Sequence, residues 1–493
     1  MSKLWCHNPV LRILVLVLLF GLSPFVEVAH QGSLADLSTA DFWWHLRTGL
    51  DILQSHSLPH TGLGSQAASL PWIASSWLYD VAVAIGFRIF DLRVLPLLAI
   101  ACKLSLAVLA FLLARGLTGR FWSAVLLSAA AQFILVNVPP LPVFVAVLLF
   151  AVELLLLLHA RRIGSIRPLY ALPVLFLLWA NVDVQFVLGI FVLLLFIAAQ
   201  AFEQRWGNAA TSAPAQLPLT TLGAITAASF LATVVTPYGW RPWGVFFSCL
   251  TSAANEYFPD YHALRFRTSN DYLLLLLVAA AFLALGIRRS RDPFSIALLL
   301  LAAFASFRSQ RDTWLATLAA VAVLADTVPA DNPQPQAETP SLLRSQLYIA
   351  AGLTVVLLAI AALIHFPHSR EAALRHIARS YPVAAANYIR EQHLPEPLFN
   401  AQPWGGFLQW YLPEYPVAID GRAELYGDEF NIQYANVMNA DVHFSTFPAM
   451  NQAATLLLQK DSLLGKALPT VPGFKVAYSD DVAVVLLREQ TSP

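Results

Sequence analysis

The sequence predicts an α-helical polytopic membrane protein of about eleven transmembrane helices, carrying a C-terminal α/β domain outside the membrane. Three observations lead there. Of the 493 residues, 58% are hydrophobic and only 12% are charged, against roughly 25% charged in soluble proteins. Apolar runs close to the roughly 20 residues that a bilayer core requires recur along the chain. After residue 365 the pattern changes to short mixed segments.

Taken in order, the first run, "KLWCHNPVLRILVLVLLFGLSPF", has a basic start and an apolar core but no clear small-x-small cleavage site, so it reads as a retained helix that also acts as signal. Candidate spans then fall at 92–115, 120–137, 140–159, 168–182, 185–203, 217–236, 271–287, 293–308, 312–328 and 343–364. Short cytoplasmic loops collect Lys and Arg. With the N-terminus inside, "ARGLTGR", "HARRIGSIR" and "IRRSRD" all become cytoplasmic. The first loop 30–91, the turn "NVDVQ", the loop 237–270 and everything after 365 are then outside. "DTVPADNPQPQAETPS" has no apolar period and reads as a flexible linker.

The expected organisation is therefore a membrane domain over 1–365 and an outer α/β domain over 366–493. In the latter, "EAALRHIARSYPVAAANYIREQ" is amphipathic, "PLFNA" and "PVAID" look like strands, and "FKVAYSDDVAVVLL" looks like a strand pair turning at Ser479–Asp481. Thirty basic and thirty acidic residues cancel, so no bulk charge draws nucleic acid. Cys6, Cys102 and Cys249 are far apart and suit neither a disulfide framework nor a metal pair.

The chemistry-bearing residues gather at the outer ends of spans. In "DFWWHLRTGLDIL" a helical period puts Asp41, His45 and Thr48 on one face. One reading is an interfacial helix anchored by tryptophan. The other is a carboxylate beside an imidazole, tuned as a general base toward an acceptor hydroxyl. A second amphipathic helix with Trp77, Tyr79 and Asp80 closes this loop. Asp183 lies between two apolar runs, where an acid is costly and points to function unless it sits in a solvated turn. In "NEYFPDYHALRFR", Glu256 and Asp260 stand among aromatic rings that suit either the headgroup belt or a sugar face. Arg308 and Arg311 in "SFRSQRDTW" run against the positive-inside trend; a guanidinium fork matches phosphate oxygens, and pairing with Asp312 or lipid headgroups is the alternative. Gly405–Gly406 reads as a tight turn or a weak phosphate signal. Asp420, Arg422 and Glu424 alternate as in a strand, as an internal ion pair or an acceptor-binding face.

The ordered motifs "DFWWHLRTG…PWIASSWLYD", "LWANVDVQFVLG", "TPYGW…NEYFPDY", "SFRSQRDTW" and "FNAQPWGGFLQWYLPEYPVAIDGRAELY" resemble a group of bacterial multispan proteins similar to the GT-C glycosyltransferases. The resemblance covers most of the chain. It implies an inverting glycosyltransferase of the bacterial inner membrane that takes a polyprenyl-phosphate sugar as donor and a glycan, lipid or protein as acceptor. Asp41 would be the base, supported by His45 and Asp183. Trp44, Arg47, Glu256, Asp260, Arg308 and Arg311 would bind substrate. A divalent metal, Mg²⁺ or Mn²⁺, is the cofactor the resemblance admits without requiring it. The chain departs from the pattern at Thr39, where relatives often carry an acid, at Ser75–Ser76, where they have a His-Glu pair, and at "VDVQ", in place of a His-Gly-Gly-like turn. Two other classes fit such a chain: a transporter or lipid flippase, which needs polar or broken helices near the midplane, and a non-catalytic scaffold whose outer domain binds a partner.

Overall fold

A computed structural model describes residues 8–30, 39–116, 121–206, 217–288, 292–327, 340–367 and 369–489. Cys6 and most of the linker 326–341 lie outside the described residues. In chain order the helices are α1 (Pro9–His30), α2 (Ala40–Ser55), α3 (Trp77–Phe90), α4 (Val94–Arg115), α5 (Phe121–Ile134), α6 (Pro142–Ile163), α7 (Leu172–Ala180), α8 (Phe186–Trp206), α9 (Leu219–Ala232), α10 (Arg241–Thr251), α11 (Ser269–Ile287), α12 (Pro293–Arg308), α13 (Thr313–Thr327) and α14 (Pro340–His365). The C-terminal region follows with α15 (Arg370–Ile377), α16 (Val383–Glu391), β1 (Leu398–Asn400), α17 (Gln402–Tyr411), α18 (Ala423–Met438), α19 (Pro448–Asn451), β2 (Thr455–Gln459), α20 (Leu463–Ala467), β3 (Phe474–Ser479) and β4 (Ala483–Arg488).

Every apolar run identified in the sequence is helical, and the chain is a multi-pass membrane protein. Among the described residues, six helical stretches are long and apolar enough to cross a membrane: Pro9–Val26, Trp77–Arg115, Pro142–Ile163, Phe186–Trp206, Ser269–Ile287 and Arg344–His365. The expected number was about eleven. The difference lies in length, because α5, α7, α9, α12 and α13 have 14, 9, 14, 16 and 15 residues. At 1.5 Å per residue these reach less far than the roughly 30 Å hydrocarbon core.

The chain divides into two compact units. The first comprises Met1–His30, Leu97–Gly239 and Pro259–Phe366. In it α1 pairs with α14, with Gly21 letting the Thr354 methyl come within 3.4 Å of where a Cβ would stand. Several charges inside this unit are paired or cap helices. Arg161 on α6 bonds both oxygens of Asp292 at 2.8 and 2.9 Å and Glu203 of α8 at 2.6 Å, and Arg162 meets Asp326 of α13 at 2.5 Å. Two of the arginines counted as topology signals in "HARRIGSIR" thus also clamp helix ends. The Lys103 ammonium donates to the carbonyls of Leu135 and Val136 beyond the end of α5, where a cation suits the helix dipole.

The second unit gathers Gln31–Pro96, Trp240–Phe258 and Pro367–Pro493. Its sheet has the order β1-β2-β4-β3, with β1 parallel to β2 and the other pairs antiparallel. The Ser479–Asp481 turn joins β3 to β4 as expected. Leu456 and Leu458 of β2 and Val484 and Leu486 of β4 face Phe399, Phe447 and Met450 in its core. "PVAID" is extended but is not a strand of the sheet. Its backbone is satisfied elsewhere: Gln66 donates to the Val417 carbonyl at 2.8 Å, and the Asn400 side chain bonds Ala418 N–H and Ile419 C=O, each at 2.8 Å. The long amphipathic segment breaks into α15 and α16 at Tyr381–Pro382, since proline interrupts the ladder.

The Gly-Gly pair is neither a turn nor a phosphate loop. Both glycines are inside α17, where a Cβ on Gly405 would stand 2.0 Å from the Ile419 carbonyl oxygen and one on Gly406 2.8 Å from that of Ala40. The helix therefore lies directly on two backbones. Gly405→Ala is expected to lower the thermal midpoint strongly, by at least the roughly 1–3 kcal/mol of an overpacked core, while Gly244→Ala, which meets nothing within 4 Å, leaves it unchanged or raises it. Differential scanning fluorimetry of the two variants in detergent checks this.

Candidate functional site

In the second unit the site is built on α2. Trp43 is fully buried, stacked on Trp410 at 4.8 Å with Tyr381 and Phe407 on its edges. Trp44 is buried as well, its ring 3.6 Å from that of His45. The expectation of tryptophans anchored among headgroups is thus corrected: these rings are protein core, and they fix the helix from within.

Asp41 sits in the first turn of α2, half-buried. Trp44 Nε1–H donates to its Oδ1 at 3.1 Å. The backbone of Gly421 lies against the same oxygen, so closely that a Cβ there would be 1.9 Å away. The "IDGR" glycine therefore backs the Asp41 carboxylate. His45 is buried, and its Nδ1–H donates to Asp80 Oδ1 of α3 at 2.6 Å. Arg47 points elsewhere and holds Asp51 at 3.0 Å; burial nonetheless pushes the Asp51 carboxyl above its ordinary range.

Beneath these groups lies a buried ion pair. Asp420 is 0% exposed and Arg422 1%. The Asp420 carboxylate accepts Arg422 Nε–H at 3.0 Å, an Arg422 NH2 hydrogen at 2.7 Å, Gln409 Nε2 at 2.5 Å and the Tyr426 hydroxyl at 2.8 Å. Arg422 also donates to the Leu63 carbonyl and covers the Trp72 ring, whose Nε1–H donates to Glu424. Burial disfavours the charge on Asp420, but the guanidinium and these donors outweigh it and hold the carboxyl below the ordinary carboxylate range. Burial and the adjacent Asp420 push the Tyr426 phenol up. Of the two readings of Asp420, Arg422 and Glu424, the internal ion pair is the one found for the first two, while Glu424 lies in the first turn of α18 and not on a strand. Gln409 and Tyr426 carried no separate signal, and Asp80 carried only its place on the second amphipathic helix of the first loop.

Glu256 is exposed in a short 3-10 turn of this unit. The turn is capped from α18, where Asp428 accepts Ser252 Oγ at 2.6 Å and Ala253 N–H at 2.9 Å.

The first unit holds the other candidates. Asp183 is buried, 4% exposed, and accepts the Gln185 N–H at 2.7 Å. Gln185 Nε2 reaches Asp312 at 3.3 Å. Arg311 lies over the Tyr261 ring and donates to its hydroxyl. Arg308 is exposed at the end of α12, and the Asp260 carbonyl accepts Ser309 Oγ at 3.4 Å. The sequence-predicted residues are thus shared out: Asp41, Trp44, His45, Arg47 and Glu256 belong to the second unit, Asp183, Asp260, Arg308 and Arg311 to the first. Among the described residues, no group of three or more His, Cys, Asp or Glu side chains could hold a metal ion. Thr39 stands where the resemblance leads to an acid, and Ser75–Ser76 where it leads to a His-Glu pair.

Comparison with solved structures gives the architecture a reference. The oligosaccharyltransferase of Archaeoglobus fulgidus, crystallised with a tethered acceptor peptide containing the NVT sequon, matches with a TM-score of 0.55 at 12% identity, over 99% of this chain and 75% of that one. The archaeal oligosaccharyltransferase AglB from the same organism, in complex with an inhibitory peptide and a dolichol-phosphate, matches with a TM-score of 0.52 at 13% identity, over 93% and 70%. The chain has the GT-C fold. ArnT from Cupriavidus metallidurans bound to undecaprenyl phosphate is also similar, at 14% identity over 98% of both chains with a TM-score of 0.49. No family model and no curated protein matches the sequence.

Within this GT-C fold the Asp420–Arg422 pair carries a pH signature. A carboxyl whose folded value lies below its unfolded one, near 3.9, contributes stability that is present above that value and lost as the pH falls through the lower one. Asp420→Asn is expected to cost about 3–5 kcal/mol by stranding a buried guanidinium, and to flatten the acid side of a plot of thermal midpoint against pH. Melting curves of wild type and variant from neutral to acid pH test both expectations.

Proposed function

We propose that the protein is a glycosyltransferase that moves a sugar from a polyprenyl-phosphate-linked donor to an acceptor on the outer face of a bacterial inner membrane, with inversion. The observation that carries this reading is the seating of Asp41: a half-buried carboxylate in the first turn of α2, oriented by an indole N–H and a glycine backbone. The GT-C fold supports it, since oligosaccharyltransferase of this fold was solved with an acceptor peptide tethered to it and in complex with a dolichol-phosphate.

In the proposed reaction Asp41 takes the proton of the acceptor hydroxyl. The freed oxygen forms a bond to the anomeric carbon from the face opposite the donor phosphate, the bond from that carbon to the phosphate oxygen breaks, and the polyprenyl phosphate leaves with the electron pair. The leaving group gains negative charge. Arg308 and Arg311 are proposed to balance it, because a guanidinium matches phosphate oxygens. Asp183 is proposed as the supporting acid, and Glu256 and Asp260 as substrate-binding groups; Trp44, buried between His45 and Trp72, and Arg47, held by Asp51, have no place in substrate binding. The step is written without a metal, since the residues do not assemble its ligands. In this reading residues 366–493, with the first loop 30–91 and the loop 237–270, are extracytoplasmic.

The test uses full-length protein in nanodiscs with radiolabelled polyprenyl-phosphate sugars extracted from bacterial membranes, following loss of label from the lipid. Asp41→Asn should lower turnover about 10²- to 10⁴-fold, the contribution of a general base, with the melting temperature retained. Turnover that survives Asp41→Asn would overturn the assignment.

A further inference from the structure

Asp80 lies outside every role assigned above, yet it is 1% exposed, and its carboxyl bonds His45. Oδ1 receives His45 Nδ1–H at 2.6 Å, while Oδ2 is buried with no hydrogen-bond partner among the described residues. Burying a carboxylate with half its accepting capacity unspent costs on the order of 1–3 kcal/mol or more. The packing goes to some length to keep it there. Gly49 of α2 lies against the Asp80 carbonyl so closely that a Cβ would be 2.0 Å from the oxygen. The two helices are thereby held at backbone contact, and the short bond to His45 follows.

What the bond fixes is the imidazole plane. His45 stacks on Trp44 with ring centres 3.6 Å apart and an interplanar angle of 28°, and the Tyr79 ring closes its edge at 5.3 Å. Trp72 meets the Trp44 ring edge-on at 6.0 Å. The Trp44 indole is thus wedged between an oriented imidazole and a second indole, and its one polar atom donates to Asp41 Oδ1. The groups form one line: Asp80 to His45 by a charged hydrogen bond, His45 to Trp44 by stacking, Trp44 to Asp41 by an N–H bond.

We propose that Asp80 and His45 are positioning residues that aim the Asp41 carboxylate through the Trp44 ring. The proposal rests on Asp41 being the base and adds the means by which it is aimed. A misplacement of the order of 1 Å at a reacting group costs up to about 100-fold in rate, so loss of the aim should appear in kcat rather than KM.

A double-mutant cycle tests it, with the same donor-turnover assay in nanodiscs. Trp44→Phe keeps the stack and removes the N–H; Asp80→Asn removes the charge that orients His45. Each should lower kcat about tenfold or more with KM little changed, Asp80→Glu should recover part of the loss, and the double variant should be no slower than Trp44→Phe alone, because both changes break one line. Multiplying losses would overturn the proposal. A second readout does not use activity: the Trp44 indole N–H resonance, assigned by its absence in Trp44→Phe, should shift in Asp80→Asn. An unchanged resonance also overturns the proposal. If Asp80→Asn fails to fold, His45→Gln takes its place in both measurements. Should Asp41→Asn retain turnover while the indole resonance still shifts, the base assignment fails and the physical linkage stands.

Discussion

Much of the second unit depends on one buried ion pair. Asp420 and Arg422 are both out of water, and removing two charges from water costs several kcal/mol per ion, recovered only when every remaining lone pair and N–H finds a partner. That requirement explains why distant segments converge there. Gln409 comes from α17, Tyr426 from α18, the Leu63 carbonyl and the Trp72 ring from the first loop. Gly421 sits between the paired residues, so fixing the pair also fixes the backbone that touches Asp41. A hydrophobic substitute for the pair would pack as well but would have no reason to hold Gly421 at that place.

Polar groups in the first unit are handled differently. Arg161, Arg162, Glu203, Asp292 and Asp326 pair with one another across four helical segments, and the Lys103 ammonium satisfies carbonyls that α5 leaves open. Glu153 is the exception: it is fully buried near the middle of α6 with neither oxygen bonded among the described residues. Its space is made by Gly189, where a Cβ would stand 2.8 Å from Oε2. The backbone thus accommodates an acid that no partner stabilises.

The sequence made the helical framework legible because the signal for a membrane helix, a long apolar run, is local. It made α2 legible too, since the acid, the tryptophans and the histidine of "DFWWHLRTG" repeat at helical spacing. What it could not show was which neighbours those groups meet. The tryptophans of this stretch read as headgroup anchors, and the rings of Tyr381, Phe407 and Trp410, more than 300 residues away, place Trp43 in the core instead. Asp80 looked like the polar face of a second amphipathic helix because nothing local marks the histidine that faces it. "IDGRAELY" alternates as a strand does, but the helix N-terminus at Ala423 cuts the alternation. The strand "TLLLQ" was missed for the opposite reason: buried on both faces, it has no alternation to detect.

The substitution of Thr39 bears on how Asp41 would act. Thr39 stands just before α2, and its hydroxyl is buried and bonds nothing among the described residues, nor does it cap the helix. An acid there would put a second negative charge within one turn of Asp41, near a helix N-terminus that favours such charge. Two neighbouring carboxylates oppose each other's ionisation unless a cation lies between them. With threonine at 39, that pressure is absent within the turn. In the proposed reaction the carboxylate that takes the proton is oriented by the Trp44 N–H and the Gly421 backbone. That arrangement places the burden of precision on the side chains behind Asp41, which is where the buried Asp80, His45 and Trp44 are found.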